Sequence, residues 1–300
     1  MPDSPPAAAE LWPSPWGAPP ADPPVSTDDA RVVETWAARS ASVHTRRKYR
    51  ATAARFLDHL GRPLAAATLA DLQAYLATLD GKAPATRANA AAALKSLFSF
   101  AQETGALALN VGKALKAPPV KNTLAERILA EPDAMRMIAL EPDGRNRTFL
   151  TVLYGAGLRI SEGIGLRWRD LTVRDGAGQA TVYGKGGKTR IVLLSANTWR
   201  QVLALREAPD PDAFVFRAQP SGRGLSLSQA HRIVKAAAGR AGLSAEVSAH
   251  WLRHAHASHA LDRGAPIHLV QATLGHASVS TTGRYLHARP SESSARFLGV

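Results

Sequence analysis

Apolar side chains recur every three or four residues along most of the chain, which is the spacing of an amphipathic helix. Within residues 28–114 this spacing predicts four helices, Ala30–Arg39, Val43–Leu60, Leu69–Leu79 and Thr86–Thr104. Gly61 and Gly105 follow the second and the fourth of these helices and are expected to end them. The pattern therefore predicts a compact helical domain in the first half of the chain.

The second half, residues 127–300, combines helical spacing with one passage typical of strands. That passage predicts the strands Leu171–Arg174, Ala180–Gly184 and Thr189–Leu194, separated by turns at 175–178 and 185–188. Helices are predicted around it, near Glu131–Ala139, Arg145–Tyr154, Ile160–Leu166, Thr198–Glu207, Ser228–Ala241, Ala249–Arg263, Ile267–Leu274 and Val279–His287. The predicted fold class is mostly α with a small β-sheet (α+β).

Two segments lack a pattern that could form a core. Residues 1–27 contain nine prolines and are predicted to be a disordered, Pro-rich tail. Residues 115–126 are predicted to be a linker, because Pro118-Pro119 prevents a continuous helix. The chain is thus divided into a tail, a helical domain over 28–114, a linker and a second domain over 127–300.

Charge is the strongest signal of composition. The 37 Lys and Arg residues exceed the 24 Asp and Glu residues, and all of these cations follow residue 30. A basic globular chain of this kind is typical of a protein that binds nucleic acid. The absence of Cys excludes disulfides, thiol nucleophiles and Cys-based metal centres. No apolar run approaches the ~20 residues of a membrane span, and no secretory signal is recognised, so a cytoplasmic location without a membrane partner is predicted.

Basic residues cluster on the second and fourth predicted helices and continue into the linker. A solvated helix face is the alternative explanation, but the clustering favours a surface that contacts DNA. The candidate DNA-binding residues are Arg46, Arg47, Lys48, Arg50, Arg87, Lys95, Lys116, Lys121 and Lys188.

The segment Tyr154-Gly-Ala-Gly-Leu-Arg159-Ile-Ser-Glu162 is the first that suggests chemistry. Gly155 and Gly157 break one helix and Arg159 opens the next, which brings a guanidinium to unpaired backbone N–H groups. That arrangement suits a phosphate. Glu162, three residues on, shares a helix face with Arg159 and could orient it. A surface Arg–Glu pair is the alternative that this segment alone leaves open.

The second segment is Gly184-Lys185-Gly186-Gly187-Lys188, between two predicted strands. A two-stranded ribbon with a lysine at its tip can enter a groove of DNA or reach a leaving group. Lys185, which lies between glycines, is favoured for that role over Lys188. A solvated hairpin turn is the alternative explanation.

His250 and Arg253 form the third constellation, because their spacing places them on one face of a helix. An arginine can neutralise a phosphate oxygen while a histidine donates a hydrogen bond or moves a proton. Three further histidines in the same helix raise the alternative of a metal site. No metal is predicted, because no carboxylate other than Asp262 lies near in this run.

His276 and Tyr285 form the fourth constellation. Gly275 ends a predicted helix, so His276 is expected in a short connection, and Tyr285 lies a turn or more into the next helix. A phenol has a pKa of about 10 and becomes a nucleophile only where cations and a base are close. An ordinary core tyrosine is the alternative.

Together these segments resemble the tyrosine recombinases, the phage integrase family, and most closely its bacterial chromosome-dimer recombinases. The stretch YGAGLRISE resembles the first conserved box of the family, and HWLRHAHASHALDRGAPIHLVQATLGHASVSTTGRYLH resembles its C-terminal box. The resemblance covers roughly residues 28–290. The catalytic residues of the family have matches, in order and approximate spacing, at Arg159, Lys185, His250, Arg253, His276 and Tyr285.

The resemblance implies a helical, SAM-like core-binding domain followed by a catalytic domain with a C-terminal tail. It also implies that Tyr285 attacks the scissile phosphate and forms a 3′-phosphotyrosyl enzyme with a free 5′-hydroxyl. Arg159 and Arg253 would hold the non-bridging oxygens, and Lys185 would be the general acid for the 5′-oxygen.

The same resemblance implies roles for three more residues. His250 and His276 would complete the phosphate cage, with His250 accepting the proton of Tyr285, and Glu162 matches the acidic orienting residue of the family. No ATP would be needed, because the phosphotyrosine conserves the energy of the broken bond. No metal or other cofactor would be needed, because the arginines supply the electrostatics.

The implied partners are duplex DNA with a specific recombination site and the other subunits of a homo- or hetero-tetramer. Chromosome-dimer resolution, integration of a mobile element and resolution of plasmid multimers all remain possible biological roles. Two alternatives remain: a non-catalytic DNA-binding regulator on the same scaffold, and relaxation of DNA in the manner of a type IB topoisomerase.

Overall fold

The computed structural model describes residues 27–119, 121, 123–184, 187–207 and 209–286. The chain separates into two units, Met1–Lys121 and Asn122–Val300. This boundary falls inside the predicted linker, whose own limits stay a prediction. The Pro-rich tail up to residue 26 and the tail after residue 286 lie outside the described residues. No helix in the ranges given above is long and apolar enough to cross a membrane.

The described residues of the first unit form four α-helices, as the sequence predicts. They are α1 (Thr27–Ala38), α2 (Val43–Leu60), α3 (Leu69–Ala77) and α4 (Pro84–Glu103), with short 3₁₀ helices at Leu64–Ala66 and Val111–Ala114. The Ser42 side chain caps the start of α2, and Gly61 ends it in a left-handed conformation. Helix α4 begins two residues earlier than predicted, because Pro84 occupies the first turn, where a helix needs no backbone donor.

Aromatic side chains form the centre of this unit. Phe56 of α2 and Phe98 of α4 are fully buried and meet edge to face, with ring centroids 6.0 Å apart. Trp36 of α1 stacks on Tyr49 at 4.2 Å and donates a hydrogen bond to Ser96. The three helices are therefore fixed against each other by large rings in addition to their aliphatic faces.

The second unit contains eight helices and one sheet in its described residues. The elements are α5 (Glu131–Ala139), α6 (Gly144–Gly155), α7 (Ile160–Gly165), β1 (Leu171–Arg174), β2 (Ala177–Tyr183), β3 (Thr189–Leu194), α8 (Ala196–Leu203), α9 (Leu227–Arg240), α10 (Ala249–Asp262), α11 (Ile267–Leu274) and α12 (Val279–Leu286), with 3₁₀ helices at Ala125–Arg127 and Trp168–Asp170. Helix α8 starts earlier than predicted because Ser195 caps it.

The three strands form an antiparallel sheet in the order β1-β2-β3. The turn between β1 and β2 has two residues instead of the predicted four, so β2 starts at Ala177. Asp175 and Gly176 both adopt positive φ, at 49° and 71°, which is the backbone of a tight two-residue hairpin. The sequence Asp-Gly is typical of that turn, and the wider turn expected from the sequence was wrong for this reason.

Two apolar clusters organise the second unit. The larger cluster contains residues of the inner face of the sheet and of α6, α8 and α9, and in it Phe149 meets Phe216 edge to face at 5.0 Å. The smaller cluster joins α10, α11 and α12 and includes Val270, Leu274 and the ring of Tyr285. The candidate nucleophile is thus anchored by apolar packing of its ring.

Gly178 of β2 lies directly under Trp199 of α8. A Cβ at this position would come within 2.2 Å of the indole ring, so Gly178→Ala forces the ring or the strand to move. We expect this change to lower the free energy of unfolding by about 1–3 kcal/mol, the usual cost of overpacking, in a denaturant titration. Gly239→Ala is the matched control, because open space surrounds that helical glycine. The control is expected to be neutral or stabilising, and an equal loss in both variants would contradict the packing argument.

Candidate active site

The carboxylate of Glu162 joins three arginines. It is buried on α7 and accepts hydrogen bonds from the Arg159 backbone N–H and guanidinium, both at 2.8 Å. Arg190 of β3 donates two more, at 2.9 and 2.8 Å, and Arg253 of α10 lies at 3.9 Å. Burial opposes ionisation of this carboxylate, but the bonds from Arg190 and Arg159 outweigh it and lower its pKa to about 2. Glu162 is therefore an anion that fixes the arginines in place.

Arg253 is the most deeply buried of these arginines. Its side chain is 4% exposed, and it donates to the backbone carbonyls of Gly157 and Leu274. Burial and the neighbouring charge of Arg159 lower its pKa to about 10, so it remains a cation at neutral pH. A guanidinium carries five N–H donors, which leaves donors for a ligand after these two bonds.

Gly157 makes this arrangement possible. Its φ is +59°, and a Cβ there would lie 2.7 Å from the His256 ring and 2.9 Å from Leu274. The turn between α6 and α7 can therefore approach α10 closely only with glycine at this position. From the sequence, Gly157 was expected only to break a helix. In the structure, the close approach that this glycine permits also lets Arg253 reach the Gly157 carbonyl.

His250 and His276 lie in the field of the same cations. Burial, Arg253 and Arg159 lower the pKa of both, and that of His276 falls to about 4. His276 is fixed by a 2.9 Å hydrogen bond between its Nδ1 and the hydroxyl of buried Thr282. Both imidazoles are neutral at pH 7 and can donate one N–H to an anion.

Tyr285 is 5% exposed, and its ring is parallel to that of His276 at a centroid distance of 6.3 Å. Burial raises the pKa of its phenol, although the charges of Arg253 and Arg284 act in the opposite direction. Its hydroxyl lies 2.7 Å from Nδ1 of His254. The family resemblance implies that His250 accepts the proton of Tyr285, and in this structure the hydroxyl of Tyr285 is hydrogen-bonded to His254.

Sequence reasoning missed His254 and Arg190 as site residues. For Arg190 a signal existed, because side chains alternate across a strand and Arg190 shares the inner face of β3 with Val192 and Leu194. A charged residue at an inward position needs a buried partner, and here that partner is Glu162. For His254 the only signal in the sequence was its i, i+4 spacing from His250.

The remaining candidates divide into several groups. Lys185 lies outside the described residues, and its neighbour Lys188 is exposed. His256 and His259 bond to the backbone oxygen and the hydroxyl of Tyr154, at 2.8 and 2.9 Å, as core histidines do. Within the described ranges no group of three or more His, Asp or Glu side chains could hold a metal ion.

The basic residues of the first unit differ in their availability. Arg47, Lys48 and Lys116 are exposed, and Arg46 is half-buried. Three others already bond within the unit, since Arg50 pairs with Glu34, Arg87 with Asp80, and Lys95 donates to the Leu115 carbonyl. Lys121 is also exposed. Contact of these residues with DNA stays a prediction.

Comparison with known proteins places the chain in a family. The phage integrase family model matches residues 125–292, and the model of the phage integrase N-terminal SAM-like domain matches residues 34–105. Tyrosine recombinase XerC of Rhodospirillum centenum is 36% identical over an alignment covering 86% of this chain and 83% of the relative. XerC of Proteus mirabilis is also 36% identical, with 69% of each chain covered.

Solved structures share the fold at low sequence identity. XerH bound to its palindromic difH substrate aligns with a TM-score of 0.67 at 22% identity, covering 90% of this chain and 84% of that one. A λ integrase dimer on a core site aligns with a TM-score of 0.71 at 20% identity, covering 89% and 78%. The chain therefore belongs to the phage integrase family of tyrosine site-specific recombinases, which confirms the resemblance and the fold class predicted from the sequence.

Proposed function

We propose that this chain cuts and rejoins duplex DNA at a specific site through a 3′-phosphotyrosyl intermediate at Tyr285. The observation that carries the proposal is the buried Arg253, whose charge acts on the Tyr285 phenol while Glu162 and two backbone carbonyls hold it. Burial raises the pKa of this phenol, and the charge of Arg253 opposes that rise, as the activation of a tyrosine nucleophile requires.

The arginines stabilise the charge that develops on the phosphate. Arg159 is one-third exposed and Arg253 is buried, so the pair can bind the two non-bridging oxygens from the surface and from the interior. Glu162 holds both arginines in place before DNA binds. The site therefore does not have to reorganise around the developing charge, as solvent would. His250 and His276 complete the cage as neutral N–H donors. Because these side chains supply the positive charge, the proposed reaction needs no metal ion.

The leaving 5′-oxygen requires a proton, and Lys185, which lies in the sequence between β2 and β3, is the proposed donor. The two strands pair with each other, and β3 is tied to the cluster through Arg190 and Glu162. The phosphotyrosyl bond retains the energy of the broken phosphodiester, so that a second 5′-hydroxyl can displace Tyr285 without ATP.

Duplex DNA and other subunits are the proposed partners. The net charge of +13 supports a polyanionic partner. Related proteins support the assembly: XerH is seen on its difH substrate, and λ integrase is seen as a tetramer on a Holliday junction. By this analogy the chain would act as a homo- or hetero-tetramer on two recombination sites in the cytoplasm.

Strand exchange between two duplexes tests this function. The protein would be incubated with nicked genomic fragments from its own source, without metal or ATP, and DNA that stays attached in SDS would be sequenced. Two labelled duplexes bearing the recovered site would then be mixed with the protein. Recombinant products are expected, whereas relaxation of one supercoiled DNA without exchange would favour the topoisomerase-like alternative.

The affinity for DNA is expected to fall steeply with salt. If about six phosphates are neutralised, the association constant should drop on the order of 10³-fold between about 50 and 200 mM salt, because condensed counterions are released on binding. Fluorescence anisotropy of a labelled duplex over that range measures the slope. A flat response would contradict extensive contact with the phosphate backbone.

A further inference from the structure

We propose that His254 is the catalytic base of the reaction: it holds the hydroxyl of Tyr285 through Nδ1 and takes the phenol proton as Tyr285 attacks. This inference rests on the proposed function, since it concerns how the nucleophile of that reaction is activated.

The contact itself is the first argument. Nδ1 of His254 and the hydroxyl oxygen of Tyr285 are 2.7 Å apart, and their ring centroids are 5.7 Å apart. A base must lie within about 2.6–3.2 Å of the proton-bearing oxygen, and this pair satisfies that distance. In the tautomer with hydrogen on Nε2, Nδ1 presents a lone pair to the phenol.

The position of His250 supports the same assignment. His250 lies one turn before His254 on α10 and has its ring perpendicular to the His254 ring, with the centroids 5.4 Å apart. His254 thus contacts the tyrosine, while His250 stays available to bind the phosphate. One helix face supplies the two groups at consecutive turns.

Electrostatics explains why the pair is inactive without DNA. Burial, the neighbouring titratable His250 and the positive charges of Arg253, Arg127 and Arg284 lower the pKa of His254 to about 4, and burial raises the pKa of the phenol. The proton therefore stays on Tyr285 at neutral pH. A bound phosphodiester brings a negative charge between Arg159 and Arg253, which offsets the cations that weaken this base. Binding of the scissile phosphate would thus raise the basicity of His254 when the nucleophile is needed.

The proposed step balances. The bond between the Tyr285 oxygen and phosphorus forms, the bond between phosphorus and the 5′-oxygen breaks, and the phenol proton passes to Nδ1 of His254. The 5′-oxygen takes a separate proton from the acid. During rejoining the incoming 5′-hydroxyl returns its proton to the deprotonated acid, and protonated His254 returns one to the departing phenolate.

Two substitutions of His254 distinguish its two proposed functions, which are to hold the hydroxyl of Tyr285 and to accept the phenol proton. His254→Asn keeps a short polar side chain that can bond to the phenol but cannot take a proton at neutral pH, and His254→Ala removes both functions. The matched control is His268→Ala, which removes an exposed histidine on α11. The rate of SDS-resistant adduct formation would be measured on a nicked duplex bearing the recovered site, with DNA affinity and thermal unfolding recorded for each variant.

Both His254 variants are expected to bind DNA normally and to form the adduct on the order of 100-fold more slowly, within the usual range for general-base catalysis. Replacing Tyr285 by a fluorinated tyrosine lowers the pKa of the phenol and so reduces the need for a base. The ratio of the wild-type rate to the His254→Asn rate should therefore be about tenfold smaller with fluorotyrosine than with tyrosine. His268→Ala should match the wild type.

A rate for His254→Asn within about threefold of the wild type would overturn the proposal. An equal defect with tyrosine and with fluorotyrosine would also overturn it, because a purely structural role does not depend on the acidity of the phenol. If the wild-type protein forms no adduct that depends on Tyr285, the proposed function itself fails, and that result is independent of His254.

Discussion

Tyr285→Phe is expected to abolish formation of the covalent protein–DNA adduct while leaving the affinity for the recombination site within about twofold of the wild type. The substitution removes only the hydroxyl oxygen, and the ring keeps its place among Val270 and Leu274. No other group replaces a missing nucleophile, so the expected loss reaches the detection limit of the SDS-trapping assay.

The control for this variant is Tyr183→Phe. Tyr183 is 65% exposed on β2, and its hydroxyl should be dispensable for the chemistry. Adducts that persist in Tyr285→Phe would show that another side chain attacks the phosphate. Loss of DNA binding in the same variant would instead show that the phenol serves in recognition.

Glu162→Gln is the second change with a large expected effect. The substitution leaves a side chain of the same shape but removes the negative charge that pairs with Arg159, Arg190 and Arg253. It also places the amide N–H donors of glutamine against guanidinium N–H donors, which cannot accept a hydrogen bond. Breaking a buried ion pair on one side costs about 3–5 kcal/mol, so we expect a loss of that order in unfolding free energy and a fall in adduct formation.

The matched control is Glu141→Gln. Glu141 is also buried, but its ion-pair partner is Arg240 of α9. This variant is expected to lose stability without a specific loss of adduct formation. Equal activity defects in both variants would show that the effect of Glu162→Gln reflects general instability.

The pH dependence of stability provides an independent check on Glu162. Its pKa in the folded protein is about 2, below the usual 4.5, so its carboxylate stabilises the fold fully above pH 4.5. This contribution is lost as the pH falls through 4.5 toward about 2. The difference in unfolding free energy between the wild type and Glu162→Gln should therefore shrink over that range and stay constant at higher pH.

Much of the fold could be predicted because local signals agreed with tertiary packing. The limits of α2, α5, β1 and β3 match the prediction, and each segment has a regular apolar period between clear breakers. The limits that differ involve caps and tight turns. Ser195 and Asp175-Gly176 carried the correct signals, but these single-residue effects compete with the broader pattern used to place the elements.

The site was less predictable than the fold because the contacts between its side chains join residues that are far apart in the sequence. The spacing of Arg159 and Glu162 indicated their pairing, since both lie in one short helix segment. The contacts of Glu162 with Arg190 and of His254 with Tyr285 connect residues 28 and 31 positions apart, and no sequence period reports such distances. The resemblance to the family supplied the candidate catalytic residues but not these two supporting contacts.

Tyr285 is expected to become joined to the 3′-end of a cleaved DNA strand. We would trap the adduct on a nicked duplex, digest the protein with protease and the DNA with nuclease, and identify the modified peptide by mass spectrometry. We expect a nucleotide attached through its 3′-phosphate to the hydroxyl of Tyr285. A nucleotide on any other residue, or attachment through a 5′-phosphate, would show that Tyr285 does not form the proposed 3′-phosphotyrosyl intermediate.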